Sequence, residues 1–127
     1  MTEIVFDTTV LIDHLRGHPQ ALQLIKKVES GEIAGSISAL TVAELFAGGD
    51  SGAEKRKESI NRLISLFEIV PLDRIVGERA GVMKRESGSS LADSVIAATA
   101  VMLGCRLLTG NAKDFDCIKD LDVKRPY

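Results

Sequence analysis

Apolar side chains along this chain come in two spacings. Short runs at Ile4-Val5-Phe6, Ile33 to Ser38 (IAGSIS), Glu68 to Leu72 (EIVPL) and Arg106 to Thr109 (RLLT) have the length and density of strands. Val123 marks a further short one, and Pro71 confines its run to a sheet edge or a strand end. Between them apolar positions recur at helical spacing, as in Val10, Leu11 and Leu15, in Ala21, Leu22, Leu24, Ile25 and Val28, and in Ile60, Leu63, Ile64 and Phe67. Start and stop signals frame these segments. Thr8 or Thr9 caps the first helix and Gly17 ends it; Pro19 opens the second, which stops near Gly31. Thr41-Val-Ala-Glu44 reads as a capping box on the helix TVAELFAG, closed by Gly48-Gly49. The polar stretch Asp50 to Glu58 is a loop or an exposed helix start, and Asp73 caps a helix running to about Ser87.

One stretch breaks the amphipathic rule. Ser90 to Leu103 (SLADSVIAATAVML) has no polar face, which predicts a helix buried on most sides. It carries one charge, Asp93, on its first turn. An isolated carboxylate there costs several kcal/mol, by the ~1–3 kcal/mol or more of each unmet polar group, unless it is paired, hydrogen-bonded or bound to a cation. Ser90-x-x-Asp93 also matches a capping box, a purely structural reason for the acid. Asn111-Ala-Lys-Asp114 is a third such pattern, with Phe115 as the anchor of its turn.

Strands alternating with helices indicate a parallel sheet covered on both faces, whose ligand site lies beyond the strands' carboxyl ends. Asp7, Glu44 and Asp114 each follow a predicted strand, so they converge on one edge, where Asp93 meets them. Four carboxylates at one place repel unless cations are present. Oxygen donors without histidine or cysteine suit Mg²⁺ or Mn²⁺ and not Zn²⁺, and such ions support in-line attack on a phosphodiester. Capping alone accounts for three of the four acids taken singly; their joint placement sets the metal site level with that structural reading.

Composition narrows the classes. The 127 residues form one domain, 1–127, of ordinary globular make-up, 45% hydrophobic and 27% charged. A net charge of −2 argues against a nucleic-acid coat protein but not against an enzyme with an acidic centre and a basic rim. The start MTEIVFD lacks the basic opening of a signal peptide, and the apolar stretch Val95 to Cys105 is too short to span a bilayer. Cys105 and Cys117 read as buried reduced thiols of a cytoplasmic protein. His14 and His18 are expected to face solvent, and no phosphate-binding glycine loop is present. An aspartyl-phosphatase reading of FDTTVLID fails because Thr9 stands where a second aspartate is needed. A receiver-type reading fails because Asp7 lacks an adjacent acid.

The segments IVFDTTVLID, TVAEL, LADSVIAATA and LLTGNAKDF, in that order and spacing, resemble the PIN domain, and more narrowly the VapC-type toxins of toxin–antitoxin pairs. The resemblance covers essentially the whole chain. It implies a three-layer α/β/α sandwich with a central parallel sheet and a Mg²⁺- or Mn²⁺-dependent ribonuclease. Its acids would be Asp7, Glu44, Asp93 and Asp114, supported by Thr9, Thr109 and Asn111. Many family members carry aspartate at the Asn111 position, so Asp114 either binds metal directly, acts through water or orients a neighbour; Asp116 is the other nearby acid. The resemblance also implies a homodimer and an antitoxin whose C-terminal segment blocks the acids, the first two helices offering a groove. The alternative is a scaffold that binds without catalysis. Lys84 and Arg85, then Arg16 and Lys113, are the candidates for RNA phosphate contacts, whereas Lys55-Arg56-Lys57 reads as a solvated helix face.

Overall fold

The computed structural model describes residues 2–48 and 53–127. In chain order its elements are β1 (Thr2–Phe6), α1 (Thr8–Leu15), α2 (Pro19–Glu29), β2 (Ile33–Ser38), α3 (Ala39–Ala47), α4 (Glu54–Ile64), β3 (Glu68–Val70), α5 (Arg74–Ser87), α6 (Leu91–Leu103), β4 (Arg106–Leu108), a 3-10 turn (Ala112–Phe115) and β5 (Val123–Lys124). The strands form a sheet of order β3-β2-β1-β4-β5 in which every neighbouring pair is parallel. The strand carrying Pro71 at its exit is an edge strand, as proline's missing donor requires.

Successive residues of β1 and β4 point to opposite faces, and two cores result. Phe6 and Leu108 pack with Ile37 of β2 against Val10 and Leu11 of α1, Ile25 and Val28 of α2, Leu45 of α3, and Ile60 and Leu63 of α4. Val5 and Leu107 pack on the other face against Ile96, Ala97 and Ala100 of α6, with Phe115 and Ile118 closing the end. Helix α5 lies outside α6, joined through Val76, Ala80, Val95 and Ala98. The result is the three-layer α/β/α sandwich. On β2, Gly35 lets the Phe67 ring lie against the backbone: a Cβ there would meet two ring carbons at 2.7 Å. Among the described residues no helix is long and apolar enough to cross a membrane.

Several local expectations change. Neither Thr8 nor Thr9 caps α1; Asp7 holds that position, the Thr8 hydroxyl donating to Glu44 and the Thr9 hydroxyl back to Asp7. Helix α3 starts two residues before Thr41, capped by Ser38, whose Oγ accepts from the Leu40 N–H at 3.0 Å. Gly48 is its C-cap, while Gly49 and the Asp50 to Gly52 part of the expected loop lie outside the described residues. From Glu54 onward that stretch is helix α4. Helix α6 is buried from Ser94 to Ala100 but not all round: Leu91, Met102 and Leu103 are exposed at its ends. Cys117 is exposed and Cys105 half-buried, both free thiols, so neither is the core residue expected. The histidines do not simply face solvent: His14 has a buried Nδ1 with no partner among the described residues, and His18 accepts from the Ala21 N–H as the cap of α2. Arg56 donates to the Leu15 carbonyl at 3.0 Å, which ties α4 to the end of α1; it is not part of a merely solvated face.

Candidate active site

The order β3-β2-β1-β4-β5 reverses chain direction across the sheet between β1 and β4, and a crevice opens beyond the carboxyl ends of strands at such a reversal. Asp7 leaves β1 there and Thr109 leaves β4, with the Asp7 N–H bonded to the Leu108 carbonyl at 2.9 Å. The Asp7 carboxylate is 4% exposed, yet it makes no capping bond to its own helix. Instead its Oδ2 accepts from the hydroxyls of Thr9 (2.8 Å) and Thr109 (2.7 Å). Thr9 Oγ1 in turn accepts from the Gly110 N–H, and Thr109 Oγ1 from the Asn111 N–H. Both donors converge on one oxygen; Oδ1 takes no hydrogen bond among the described residues.

Glu44 reaches the same place from α3. Because that helix begins at Ala39, Glu44 lies in its second turn and has no capping role. Its Oε1 accepts from the Thr8 hydroxyl at 2.6 Å, and Thr8 Oγ1 also lies 2.9 Å from Thr41 Oγ1. Two adjacent threonines thus hold two different acids.

Asp93 is the one acid of the four that keeps a capping arrangement. Its N–H donates to Ser90 Oγ at 3.0 Å; the return bond from the Ser90 N–H is absent among the described residues. Burial pushes the Asp93 carboxyl above its ordinary value. A Ser90 side-chain hydrogen bond opposes that rise, and the charges of Asp7, Asp114 and Glu44 add to it. Side chains up to 86 positions apart in the chain are therefore electrostatic neighbours. The start of α6 is braced by hydroxyls: Ser94 Oγ lies 2.7 Å from Ser89 Oγ, itself 2.8 Å from Ser87 Oγ.

Asp114 sits exposed in the 3-10 turn, which is held by backbone bonds with no side-chain cap from Asn111. The buried Phe115 anchors this turn, as expected. Among the described residues, no three His, Cys, Asp or Glu side chains are gathered closely enough to hold one ion in this conformation. The other three acids, Asp7, Glu44 and Asp114, each lie within charge range of Asp93. Their donor set, oxygen throughout with no sulfur or imidazole, fits a hard dication.

The basic candidates divide. Lys84 Nζ donates to the Ser89 carbonyl at 3.4 Å, which brings it to the entry of α6 near Asp93. Lys113 is exposed beside Asp114, Arg16 is exposed at the far end of α1 from Asp7, and Arg85 is exposed on α5. Thr8 is the site residue the sequence reading assigned to capping alone. The pair Thr8-Thr9 directly after a strand was its signal, since both cannot cap one helix.

Thr109→Val removes one of the two donors to a buried carboxylate and leaves the Asn111 N–H without its acceptor. It is expected to lower stability by about 1.5–3 kcal/mol, read as a reduced urea midpoint with an unchanged slope.

The geometry has counterparts. The PIN domain family model matches residues 4–121. The chain is 36% identical over 130 residues to Ribonuclease VapC10 of Mycobacterium tuberculosis, covering 98% of this chain and 92% of that protein. It is 31% identical over 131 residues to Ribonuclease VapC19 of the same organism, covering 97% and 98%. Among solved structures, a chain of a toxin–antitoxin complex from Klebsiella pneumoniae matches with a TM-score of 0.82 at 29% identity, over 98% of both chains.

Proposed function

The chain belongs to the PIN-domain family, and from that premise we propose that it is a ribonuclease, the toxin of a toxin–antitoxin pair. In this reading it hydrolyses RNA phosphodiesters with Mg²⁺ or Mn²⁺ held by Asp7, Asp93, Glu44 and Asp114. The relatives named as ribonucleases support the activity, and the toxin–antitoxin complex supports the pairing. One observation carries the site: Asp7, Glu44 and Asp114 make no side-chain capping bond, and each lies within charge range of Asp93.

A dication bound there would activate water and stabilise charge on the phosphoryl oxygens. The chain's own contribution is placement. Thr9 and Thr109 pin one oxygen of Asp7 and leave the other without a hydrogen bond among the described residues, Thr8 fixes Glu44, and Ser90 orients Asp93. Asn111 joins the loop to Thr109, and the Asp114 N–H bonds to the Asn111 carbonyl, so the turn that carries Asp114 shares that support. Lys84, Lys113, Arg85 and Arg16 contact the RNA backbone.

The antitoxin segment is assigned to a cleft of about 390 Å³ between α1, α2 and α4, where Leu15, Leu22, Ile25 and Leu63 meet Arg56 and Arg62. A second copy is assigned to the outer face of α5 and α6, where Ile75, Val82 and Met102 are exposed. The free thiols Cys105 and Cys117 suit a cytoplasmic location.

Purified protein is expected to cleave single-stranded RNA with Mg²⁺ or Mn²⁺, to stop in excess chelator, and to resume when the ion is restored. Cleavage persisting in chelator would remove the metal from the proposal. RNA binding without cleavage under any ion would favour the non-catalytic binding module.

A further inference from the structure

Tyr127 is the chain's one tyrosine, and there is no tryptophan. Its ring stacks on His18, with centroids 4.5 Å apart and planes at 19°. His18 is itself held, because its Nδ1 accepts from the Ala21 N–H at the start of α2. The Tyr127 hydroxyl donates to Asp13 Oδ2. Burial, that hydrogen bond and the Asp13 charge all push the phenol's pKa upward, so the ring stays neutral. Held at its back and at its edge, Tyr127 still leaves 40% of its surface open.

Its position ties this ring to the acids. Asp13 and Thr9 are four apart on α1 and share a face, about 6 Å apart along the axis, so the residue that tethers the ring lies one turn beyond the residue that holds Asp7. Thr9 is the residue that holds Asp7 and the Gly110 N–H. From the other side, the Thr109 N–H donates to the Lys124 carbonyl, so the segment leading to Tyr127 starts beside the site. Lys124 and Arg125 are exposed along that short path. The core uses Phe6, Phe67 and Phe115, all buried; Tyr127 is turned outward from it.

We propose that the Tyr127 ring, backed by His18 and tethered to Asp13, is a stacking platform for an unpaired base of single-stranded RNA whose backbone crosses the acids. The assignment rests on the ribonuclease reading and adds a subsite to it. A π-face accepts any base, so the platform favours unpaired strands over duplex without selecting sequence.

The absence of any other tyrosine or tryptophan makes the test direct. The Asp93→Asn protein, impaired in cleavage, is titrated with a single-stranded ribo-oligonucleotide and with an abasic ribose-phosphate oligomer of equal length. Tyrosine emission and the anisotropy of an end-labelled oligomer are followed together. The RNA is expected to quench the emission and the abasic oligomer to leave it unchanged. Tyr127→Leu, in the same background, is expected to weaken RNA binding about tenfold, with Tyr127→Phe restoring affinity to within about twofold of the parent. Abasic binding should be the same in all three. The quenching arm needs no substitution at Tyr127, so it stands even if the leucine variant folds poorly. RNA that binds without quenching, and equally well to Tyr127→Leu, overturns the platform and leaves the ribonuclease reading intact. Failure of the parent to bind RNA, with no cleavage by the unsubstituted protein, overturns both.

Discussion

Asp7→Asn and, separately, Asp93→Asn are expected to lower the rate of RNA cleavage by about a thousandfold or more, ~4 kcal/mol of transition-state stabilisation. The protein should remain folded in both cases. An asparagine amide has nearly the shape of the carboxylate, and its carbonyl oxygen can accept the Thr9 and Thr109 hydroxyls that Asp7 Oδ2 now receives. What it lacks is the charge. At Asp93 the backbone N–H to Ser90 Oγ bond survives the change, so the start of α6 is kept. Initial rates at saturating Mg²⁺ or Mn²⁺, with near-native circular dichroism, provide the measurement. Undiminished cleavage in either variant would dissociate the acids from the chemistry.

The second large effect is on stability. Carboxylates that share a field oppose folding when ionised, and a dication relieves that opposition. Mg²⁺ or Mn²⁺ at a hundredfold its dissociation constant contributes about 2.7 kcal/mol by linkage, a rise in Tm of roughly 5–10 °C for a domain of this size. The sign of the proton effect at Asp93 agrees. Its carboxyl is raised in the folded protein, by burial first and then by Asp7, Asp114 and Glu44, against the opposing Ser90 bond. Its contribution favours the fold below the unfolded value, about pH 4, and is lost as pH rises through the higher folded value. At neutral pH, ionised Asp93 therefore works against the fold. Asp93→Asn is expected to raise the Tm of metal-free protein and to reduce the rise that metal produces. Differential scanning fluorimetry across metal concentration reads both; a Tm unmoved by millimolar ion would separate the acids from a shared site.

Much of this arrangement was legible in the chain. The runs at Ile4-Val5-Phe6 and Arg106 to Thr109 placed two acids' supports at strand ends, because a fully covered strand has no polar residue until it leaves the sheet. The apolar helix around Asp93 marked the unusual carboxylate for the same reason. What misled was local grammar. Thr41-x-x-Glu44 has the letters of a capping box, but Ser38 starts the helix one turn earlier, where β2 ends, and tertiary bonding to Thr8 decides Glu44. Asn111 and Asp114 likewise occupy a 3-10 turn with no side-chain cap. Roles for Thr8, His18 and Tyr127 depend on contacts across tens of residues, which no short window of sequence contains.

The bond between Thr109 and Asp7 joins side chains 102 positions apart. During synthesis from the amino end, β1 and Asp7 emerge early and stay without their partner until β4 has been made and docked beside them. A nascent chain therefore lacks the Thr109 support of Asp7 until the segment that carries β4 has been synthesised and has docked.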